Sequence, residues 1–393
     1  MNKSLSLYMN GVRFLAAMLV FLFHMGYFSG WRVPIVGHYG SEAVIEFFVL
    51  SGFVISYTAK NKHPDLPDYA LSRLARLWSI SIPAIVLTCL LDKIGQHLAL
   101  PAYSPMMPYS ATKWIAAALA NGAFLNQFWS FSIWPGTNGP FWSIAYEFWY
   151  YAIFGAGFYL TGRRRVFVVI AALLVAGPKI VAAFPIWLIG VALLRALPVD
   201  RRSTAPITGA LVWCASLGFL VAAFSFDVWA WEEAAFPTIA AFAQKTWDVD
   251  FLPKSYLLGL IFGMNLYGFM LLSGSITHVA KPLAAFISVL ADASFGIYLF
   301  HYPIGYFVKA MLWRQGVTDG IGYIATIYLV SFAVSFGLGL LFDPLRKPLL
   351  RLLRRTMGFF PAPSASLELR AAALAPTGLT STCIGSKISQ GTS

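Results

Sequence analysis

Long apolar stretches alternate with short polar connections along most of the chain. A stretch of about 20 apolar residues can cross a lipid bilayer as a helix, and the chain contains about ten of them. The pattern therefore predicts an all-α polytopic membrane protein. The predicted transmembrane helices are 11–30, 41–59, 77–97, 141–161, 166–182, 184–197, 207–226, 255–273, 284–312 and 321–342.

Two stretches depart from this pattern. Residues 98–140 are rich in Pro, Tyr, Trp, Asn and Gly and contain an apolar piece near 114–129. An additional span there would invert the topology and place the basic run 163–165 outside, so we predict an outer loop with an interfacial or re-entrant helix. Residues 346–393 begin with basic residues and then lack any apolar period, which predicts a disordered cytoplasmic tail. The transmembrane domain is therefore expected to cover residues 1–345.

The composition excludes a soluble enzyme. Hydrophobic residues make up 59% of the chain and charged residues 11%, whereas soluble domains carry about 25% charged residues. Lys and Arg are about twice as frequent in the connections that are internal when the N-terminus is internal, which predicts that both termini are cytoplasmic. Because the basic residues are spread over short loops, the net charge of +12 does not indicate a nucleic-acid partner. The isolated Cys89, Cys214 and Cys383 predict neither a disulfide framework nor a metal site.

Arg13 and His24 are ionisable residues within the first predicted span. Ionisable side chains are costly inside a bilayer, so each is a candidate functional group. At ~100° and 1.5 Å per residue the two share one helix face and lie ~16 Å apart along the axis. This pair suits a long anionic ligand that runs along the helix. The alternative is that Arg13 reaches the inner headgroups and His24 hydrogen-bonds to a neighbouring helix.

Glu46 and Glu147 are predicted to lie at the same depth as His24, ~8–9 Å below the outer surface. Three ionisable groups at one depth can share a proton network that offsets the cost of their burial. A carboxylate bound to one imidazole nitrogen fixes the tautomer and raises the basicity of the other nitrogen. The alternative is a polar network that only holds the helices together.

Three further residues are candidates for the site. Arg73 and Arg76 are three residues apart near the start of the third span, so they share a helix face. They either bind the phosphates of a cytosolic donor or only mark the internal side of the membrane. His301 precedes Pro303, whose ring frees a backbone carbonyl in the preceding turn. His301 either satisfies that carbonyl or belongs to the site.

Five motifs within the first 345 residues carry a resemblance to a known family. They are the pair Arg13 and His24 as Arg-x10-His, then Glu46-Phe47-Phe48-Val49-Leu50-Ser51-Gly52-Phe53, Arg73-Leu74-Ala75-Arg76, Phe141-Trp142-Ser143-Ile144-Ala145-Tyr146-Glu147 and Tyr298-Leu299-Phe300-His301-Tyr302-Pro303. In this order they resemble the acyltransferase-3 family of integral membrane acyltransferases. Tyr146 stands before Glu147 where that family often has a second carboxylate, so Glu147 would act as a single acid.

The resemblance implies a membrane O-acyltransferase. Such a protein moves an acyl group, usually acetyl, from cytosolic acyl-CoA to a hydroxyl of an extracytoplasmic surface glycan or lipid-linked saccharide. It implies a multi-pass protein of the inner (plasma) membrane that uses acyl-CoA as a substrate and holds no cofactor or metal. The short C-terminal tail leaves no room for the fused SGNH domain that some family members carry. The sequence is compatible with a homo-oligomer.

The resemblance also assigns roles to the candidate residues. Arg13, Arg73 and Arg76 would bind acyl-CoA, and His24 would act as general base or as acyl carrier. Glu46 or Glu147 would orient His24. Ser51, Ser143 and His301 would support the site. The alternative is a secondary transporter or exporter in which the same His, Glu and Arg groups form a proton relay, although the chain shows no internal repeat.

Overall fold

A computed structural model describes residues 1–98, 100–106, 110–196, 205–225, 237–238 and 252–358. Within these residues the chain is helical and contains no strand, and eight helices are long and apolar enough to cross a membrane. The predicted all-α polytopic class is therefore confirmed. The helices are α1 (Lys3–Ser29), α2 (Gly40–Lys62), α3 (Leu66–His97), α4 (Ala111–Gly122), α5 (Trp142–Tyr159), α6 (Gly162–Leu193), α7 (Pro206–Ser225), α8 (Leu252–Leu272), α9 (Lys281–Arg314), α10 (Gly320–Phe342) and α11 (Arg346–Thr356).

Helix α6 is broken at Gly177, where φ is 78° and ψ is 171°. Glycine adopts this conformation without strain, and the following Pro178 has no N–H to continue the helix. Before the break, Leu174 accepts a hydrogen bond from Trp129 at 3.0 Å. After it, the chain returns along α2, where Trp187 donates to Ser51 at 3.2 Å. The two halves correspond to the fifth and sixth predicted spans, but the break lies at Gly177 and not between residues 182 and 184.

Helix α9 lies in the middle of the bundle and packs against α1, α3 and α10, while α2 packs against α1 and α6. Two of these helix pairs approach closely through glycines. A Cβ on Gly296 would collide with the backbone of Gly339, and a Cβ on Gly52 would collide with the carbonyl oxygen of Trp187. Small residues of this kind let helix backbones pack closely where lipid gives no hydrophobic driving force.

The loop between α3 and α5 is fixed to the bundle by buried polar contacts. Asp92 accepts hydrogen bonds from the backbone N–H and from the hydroxyl of Thr137, both at 2.8 Å. Asn138 donates to the carbonyl of Leu299 in α9 at 2.9 Å. The loop contains α4, which has 12 residues and is about 18 Å long, too short to cross a bilayer. Its position as an interfacial or re-entrant helix stays a prediction.

The first residues of the predicted disordered tail are helical. Residues 346–356 form α11, so the prediction of disorder from residue 346 is wrong there. The physical reason is the spacing of Leu349, Leu350 and Leu353, which fall on one side of a helix and are partly buried. The rest of the predicted tail, residues 359–393 with Cys383, lies outside the described residues.

The helix bundle has two ends, the basic face and the opposite face. The basic face is the end at which α2 ends, α3 begins and α10 ends, residues 60–66 and 343–350. The opposite face is the end at which α1 and α9 end, residues 29–32 and 313–316. Helices α1 and α9 therefore run from the basic face to the opposite face, and α2 and α10 run back.

Candidate active site

A cavity of about 530 Å³ lies between α1, α2, α3, α5 and α9. Its volume is in the range of small-molecule sites, about 300–1,000 Å³. The exposure of its lining residues falls from the basic face toward the middle of the bundle, which identifies a mouth, a middle part and an inner end. The mouth contains Lys62, Arg346 and Lys347. The middle part contains Arg13, Arg73 and Arg76, and the inner end contains Ser143 and Tyr298.

Arg13 lies in the wall of this cavity, and its role along the path of an anionic ligand stays a prediction. Its Nη2 is 3.4 Å from Asn10 Oδ1 and 3.4 Å from the carbonyl oxygen of Ala291, both at the limit of a hydrogen bond. Its Nε is buried without a hydrogen-bond partner among the described residues. A buried guanidinium with weak partners is costly until an anion binds it, because burial removes the water that would solvate the charge.

Arg73 is held toward the cavity by a short chain of polar groups. His63 Nδ1 donates to Asp68 Oδ2 at 2.8 Å, and His63 Nε2 lies 3.2 Å from Arg73 Nη2. Because a guanidinium only donates, Nε2 must accept, and His63 is neutral in this arrangement. The Arg73 guanidinium also lies 5.8 Å from the centroid of the Tyr69 ring, where the face of the ring attracts the cation. The sequence prediction included neither His63 nor Asp68.

Arg76 shares the cavity with Arg73, but it has a protein partner. It donates from Nη1 to Asp343, in the turn between α10 and α11. Its guanidinium also lies 5.3 Å from the centroid of the Phe295 ring. The Asp343 carboxylate is buried, so this ion pair compensates much of the charge that Arg76 would otherwise offer to a ligand. Arg76 joins the start of α3 to the start of α11, and its predicted role as a phosphate ligand stays a prediction.

Glu147 lines the cavity toward its inner end. It accepts a hydrogen bond from Tyr151, one turn later on α5, and a longer one from Ser51 at 3.3 Å. Trp187 donates to the same Ser51 hydroxyl at 3.2 Å. Ser51 thus belongs to the Glu147 group, and its supporting role in the site stays a prediction.

His24 does not line the cavity but pairs with His301. His301 Nδ1 lies 2.8 Å from the carbonyl oxygen of Ile297 and must donate to it, so His301 Nε2 is an acceptor. His24 Nδ1 lies 3.0 Å from that Nε2 and 2.9 Å from the carbonyl oxygen of Val20, and therefore carries a proton. The remaining nitrogen, His24 Nε2, is left as a base with no hydrogen bond to the described residues.

The structure does not bring Glu46 or Glu147 to His24. Glu147 is bound to Ser51 and Tyr151, while Glu46 lines a separate small space with Tyr8 between α1, α2 and α8. The predicted His24–carboxylate network is therefore wrong in its contacts. Equal depth gives only the height of a residue on its helix, whereas contact also requires the correct rotation of each helix. The group that orients His24 is His301.

Tyr298 separates the cavity from the histidine pair. Its hydroxyl lies 2.7 Å from Ser143 Oγ and donates to the carbonyl oxygen of Pro140 at 3.1 Å. Its ring lines the inner end of the cavity, and its centroid is 6.5 Å from that of His301. Since His301 is three residues further along α9, the cavity ends about 4.5 Å below it along the helix axis.

The chain matches the model of a known protein family. A family model described as an acyltransferase domain matches residues 6–340. The matched segment includes both histidines of the pair and all of the cavity lining named above except Arg346 and Lys347. No curated protein and no solved structure matches the chain.

Proposed function

Because this chain belongs to the acyltransferase-3 family and is a multi-pass membrane acyltransferase, we propose that it moves an acetyl group from cytosolic acetyl-CoA to a hydroxyl of a surface glycan or lipid-linked saccharide across the inner membrane. The observation that carries the proposal is the cation-lined cavity that ends one helical turn from the histidine pair. The excess of Lys and Arg at the basic face supports a cytoplasmic position for its mouth.

The donor enters the cavity from the basic face with its thioester first. Its phosphates are attracted by the guanidinium groups, of which Arg13 and Arg73 have buried Nε atoms without partners among the described residues. The uncharged pantetheine arm then extends toward Ser143 and Tyr298 at the inner end. This direction places the reactive end of the donor next to the histidine pair and its charged end toward the basic face.

His24 acts at the step of acyl transfer. As a general base, its Nε2 takes the proton of the acceptor hydroxyl while the hydroxyl oxygen bonds to the acyl carbon and the C–S bond breaks. The CoA thiolate then takes up a proton. As an acyl carrier, Nε2 itself bonds to the acyl carbon while the C–S bond breaks and the CoA thiolate leaves. In a second step the acceptor hydroxyl oxygen bonds to that carbon, the N–C bond to His24 breaks, and the hydroxyl proton passes to the CoA thiolate. In both routes His301 Nε2 accepts a hydrogen bond from His24 Nδ1 and so orients the His24 ring. A positioned base contributes about 10²–10⁴-fold in rate.

Transfer also requires a connection between the two regions. The Tyr298 ring closes the inner end of the cavity through its contacts with Ser143 and Pro140. Rotation of this ring away from Ser143 and Pro140 would remove the side chain that lies between the inner end of the cavity and the His301 ring. Because the ring belongs to a single side chain, this opening breaks its two hydroxyl contacts but does not require the helices to separate.

The proposal is tested with the purified full chain in proteoliposomes that enclose a saccharide acceptor, with acetyl-labelled acetyl-CoA supplied at the basic face. An acyltransferase releases free CoA on the donor side and produces labelled, acetylated saccharide inside. A transporter of acetyl-CoA or saccharide would move its substrate unchanged, with no free CoA formed. That second result, or an acetylated product in protein-free vesicles, would contradict the proposal.

A further inference from the structure

We propose that Arg346 and Lys347, at the start of α11, bind the 3′-phosphate at the nucleotide end of coenzyme A. The inference rests on the proposed use of acyl-CoA as donor. It assigns a binding role to residues that lie beyond the matched family segment, which ends at residue 340. It also revises the sequence prediction, in which residues 346–393 were only a tail.

Arg346 and Lys347 are held at the cavity by the turn that precedes α11. Asp343 is 5% exposed and accepts a hydrogen bond from Arg76 of α3. It stands in the turn Asp343–Leu345, directly before α11, and its other carboxylate oxygen lies 3.9 Å from Arg346 Nε. The turn therefore fixes the first residues of α11 against α3, and both Arg346 and Lys347 line the cavity.

The mouth of the cavity is positively charged. Arg346, Lys347 and Lys62 are exposed there, and the one acidic residue in the described lining is Glu147, toward the inner end. Asp343 compensates one positive charge and is already bonded to Arg76. The mouth therefore keeps a surplus of positive charge that is solvated and accessible, which is the environment that a phosphate dianion prefers.

The groups along the donor have a fixed order. In acyl-CoA the thioester is followed by the pantetheine arm, the diphosphate, and finally the nucleoside with its 3′-phosphate. With the thioester at Tyr298, the diphosphate lies beside Arg13 and Arg73 in the middle of the cavity. The 3′-phosphate is then the charged group that remains at the mouth, where α11 begins. The start of α11 would thus distinguish coenzyme A from its dephosphorylated form.

The test measures the Kd of CoA and of 3′-dephospho-CoA for the full chain in detergent, by calorimetry. The wild type should bind CoA about ten-fold more tightly, because a charged hydrogen bond contributes about 1.5–3 kcal/mol. The double variant Arg346→Gln, Lys347→Gln should lose this preference and keep its affinity for 3′-dephospho-CoA. Lys347→Gln alone leaves the contact between Arg346 and Asp343 intact and should lose part of the preference.

Arg351→Gln is the matched control, because Arg351 is an exposed cation of the same helix that does not line the cavity. It should keep the full preference for CoA. The proposal is overturned if the double variant keeps the wild-type preference, or if its affinities for both ligands fall by the same factor. Failure of the wild type to bind either form would instead contradict the use of acyl-CoA itself, and the proposal would fall with it.

Discussion

The cavity and the histidine pair both place polar groups inside the bundle, but they satisfy them differently. In the cavity, Arg13 and Arg73 each keep a buried Nε without a partner among the described residues. In the pair, His24 and His301 bind each other and the carbonyl oxygens of Val20 and Ile297. The first arrangement leaves positive charge available for a ligand, and the second fixes the positions of two protons, on His24 Nδ1 and on His301 Nδ1.

The difference indicates that the two regions have separate functions, donor binding in the cavity and proton transfer at the histidine pair. In the cavity, the unpartnered Nε atoms of Arg13 and Arg73 can be satisfied by a bound anion, so the cavity residues should determine affinity for the donor. The histidine pair holds its rings in place through its own hydrogen bonds and can move the proton of the acceptor hydroxyl once the substrates are bound. Its residues should therefore determine turnover. Substitutions in the two regions should therefore separate Kd from the rate at saturating donor.

Replacement of Arg13 gives the largest expected effect on donor binding. Arg13→Ala should raise the Kd of acetyl-CoA about 10- to 100-fold, because it removes a charged contact from a buried site. Turnover at saturating donor should change much less. Arg32→Ala is the control, because Arg32 is an exposed cation at the opposite face. A variant with normal Kd and low turnover would place Arg13 in the chemical step and break the comparison.

Replacement of His301 tests the other region. His301→Phe keeps a fully buried ring at this position but removes one of the two acceptors of His24 Nδ1 and leaves the carbonyl oxygen of Val20. Turnover should fall about 10-fold or more, since the base is no longer held in one orientation. The Kd of acetyl-CoA, measured by calorimetry on the same preparation, should stay at the wild-type value. A weakened Kd with unchanged turnover would assign His301 to packing of the cavity.

His63 offers the matched opposite case, because it is a histidine that contacts the cavity and not the pair. His63→Phe removes the acceptor that holds Arg73 and should raise the Kd of acetyl-CoA by about 5-fold, because Arg73 stays in the cavity but is held less firmly. Turnover at saturating donor should not change. The two single variants should have opposite effects: His301→Phe should change turnover and not Kd, and His63→Phe should change Kd and not turnover. If both variants changed the same parameter equally, the separation of the two regions would be contradicted.

Ionic strength should give the smallest effect and should act on the cavity alone. Lys62 and Lys347 are exposed at the mouth, so salt screens their attraction for phosphate over a Debye length of about 10 Å at 0.1 M. The Kd of acetyl-CoA should rise a few-fold between low and physiological salt, with turnover at saturating donor unchanged. The measurement is a salt series of both parameters on the wild type, and a Kd independent of salt would argue against phosphate contacts at the mouth.

Features that depend on one helix or on a local pattern could be predicted from the sequence. Apolar stretches identify the spans, and the spacing of Arg73 and Arg76 places both in one cavity wall. Rotational position could not be predicted, because the depth of Glu46 and Glu147 gives no information on which neighbour each faces. The His24–His301 contact joins residues 277 positions apart and depends on how α1 packs against α9. Its local signal was Pro303, which indicated an irregular helix but not its partner.

The segment after α10 shows a second limit of sequence interpretation. Its basic residues predict that the segment lies on the internal side of the membrane. They do not distinguish a disordered tail from a helix at the cavity. The distinction depends on Asp343, whose partner Arg76 lies 267 positions away. The sequence of residues 343–350 alone therefore does not predict that α11 lines the cavity.

The central claim is that His24 acts in acyl transfer and not in donor binding. The most direct test measures the Kd of acetyl-CoA and the single-turnover rate of CoA release with acceptor present, for the full-length wild type and for His24→Ala. The account predicts a Kd within about two-fold of the wild type, since His24 does not line the cavity, and a rate lower by about 10² or more. Transfer by His24→Ala at more than about a tenth of the wild-type rate would contradict the account.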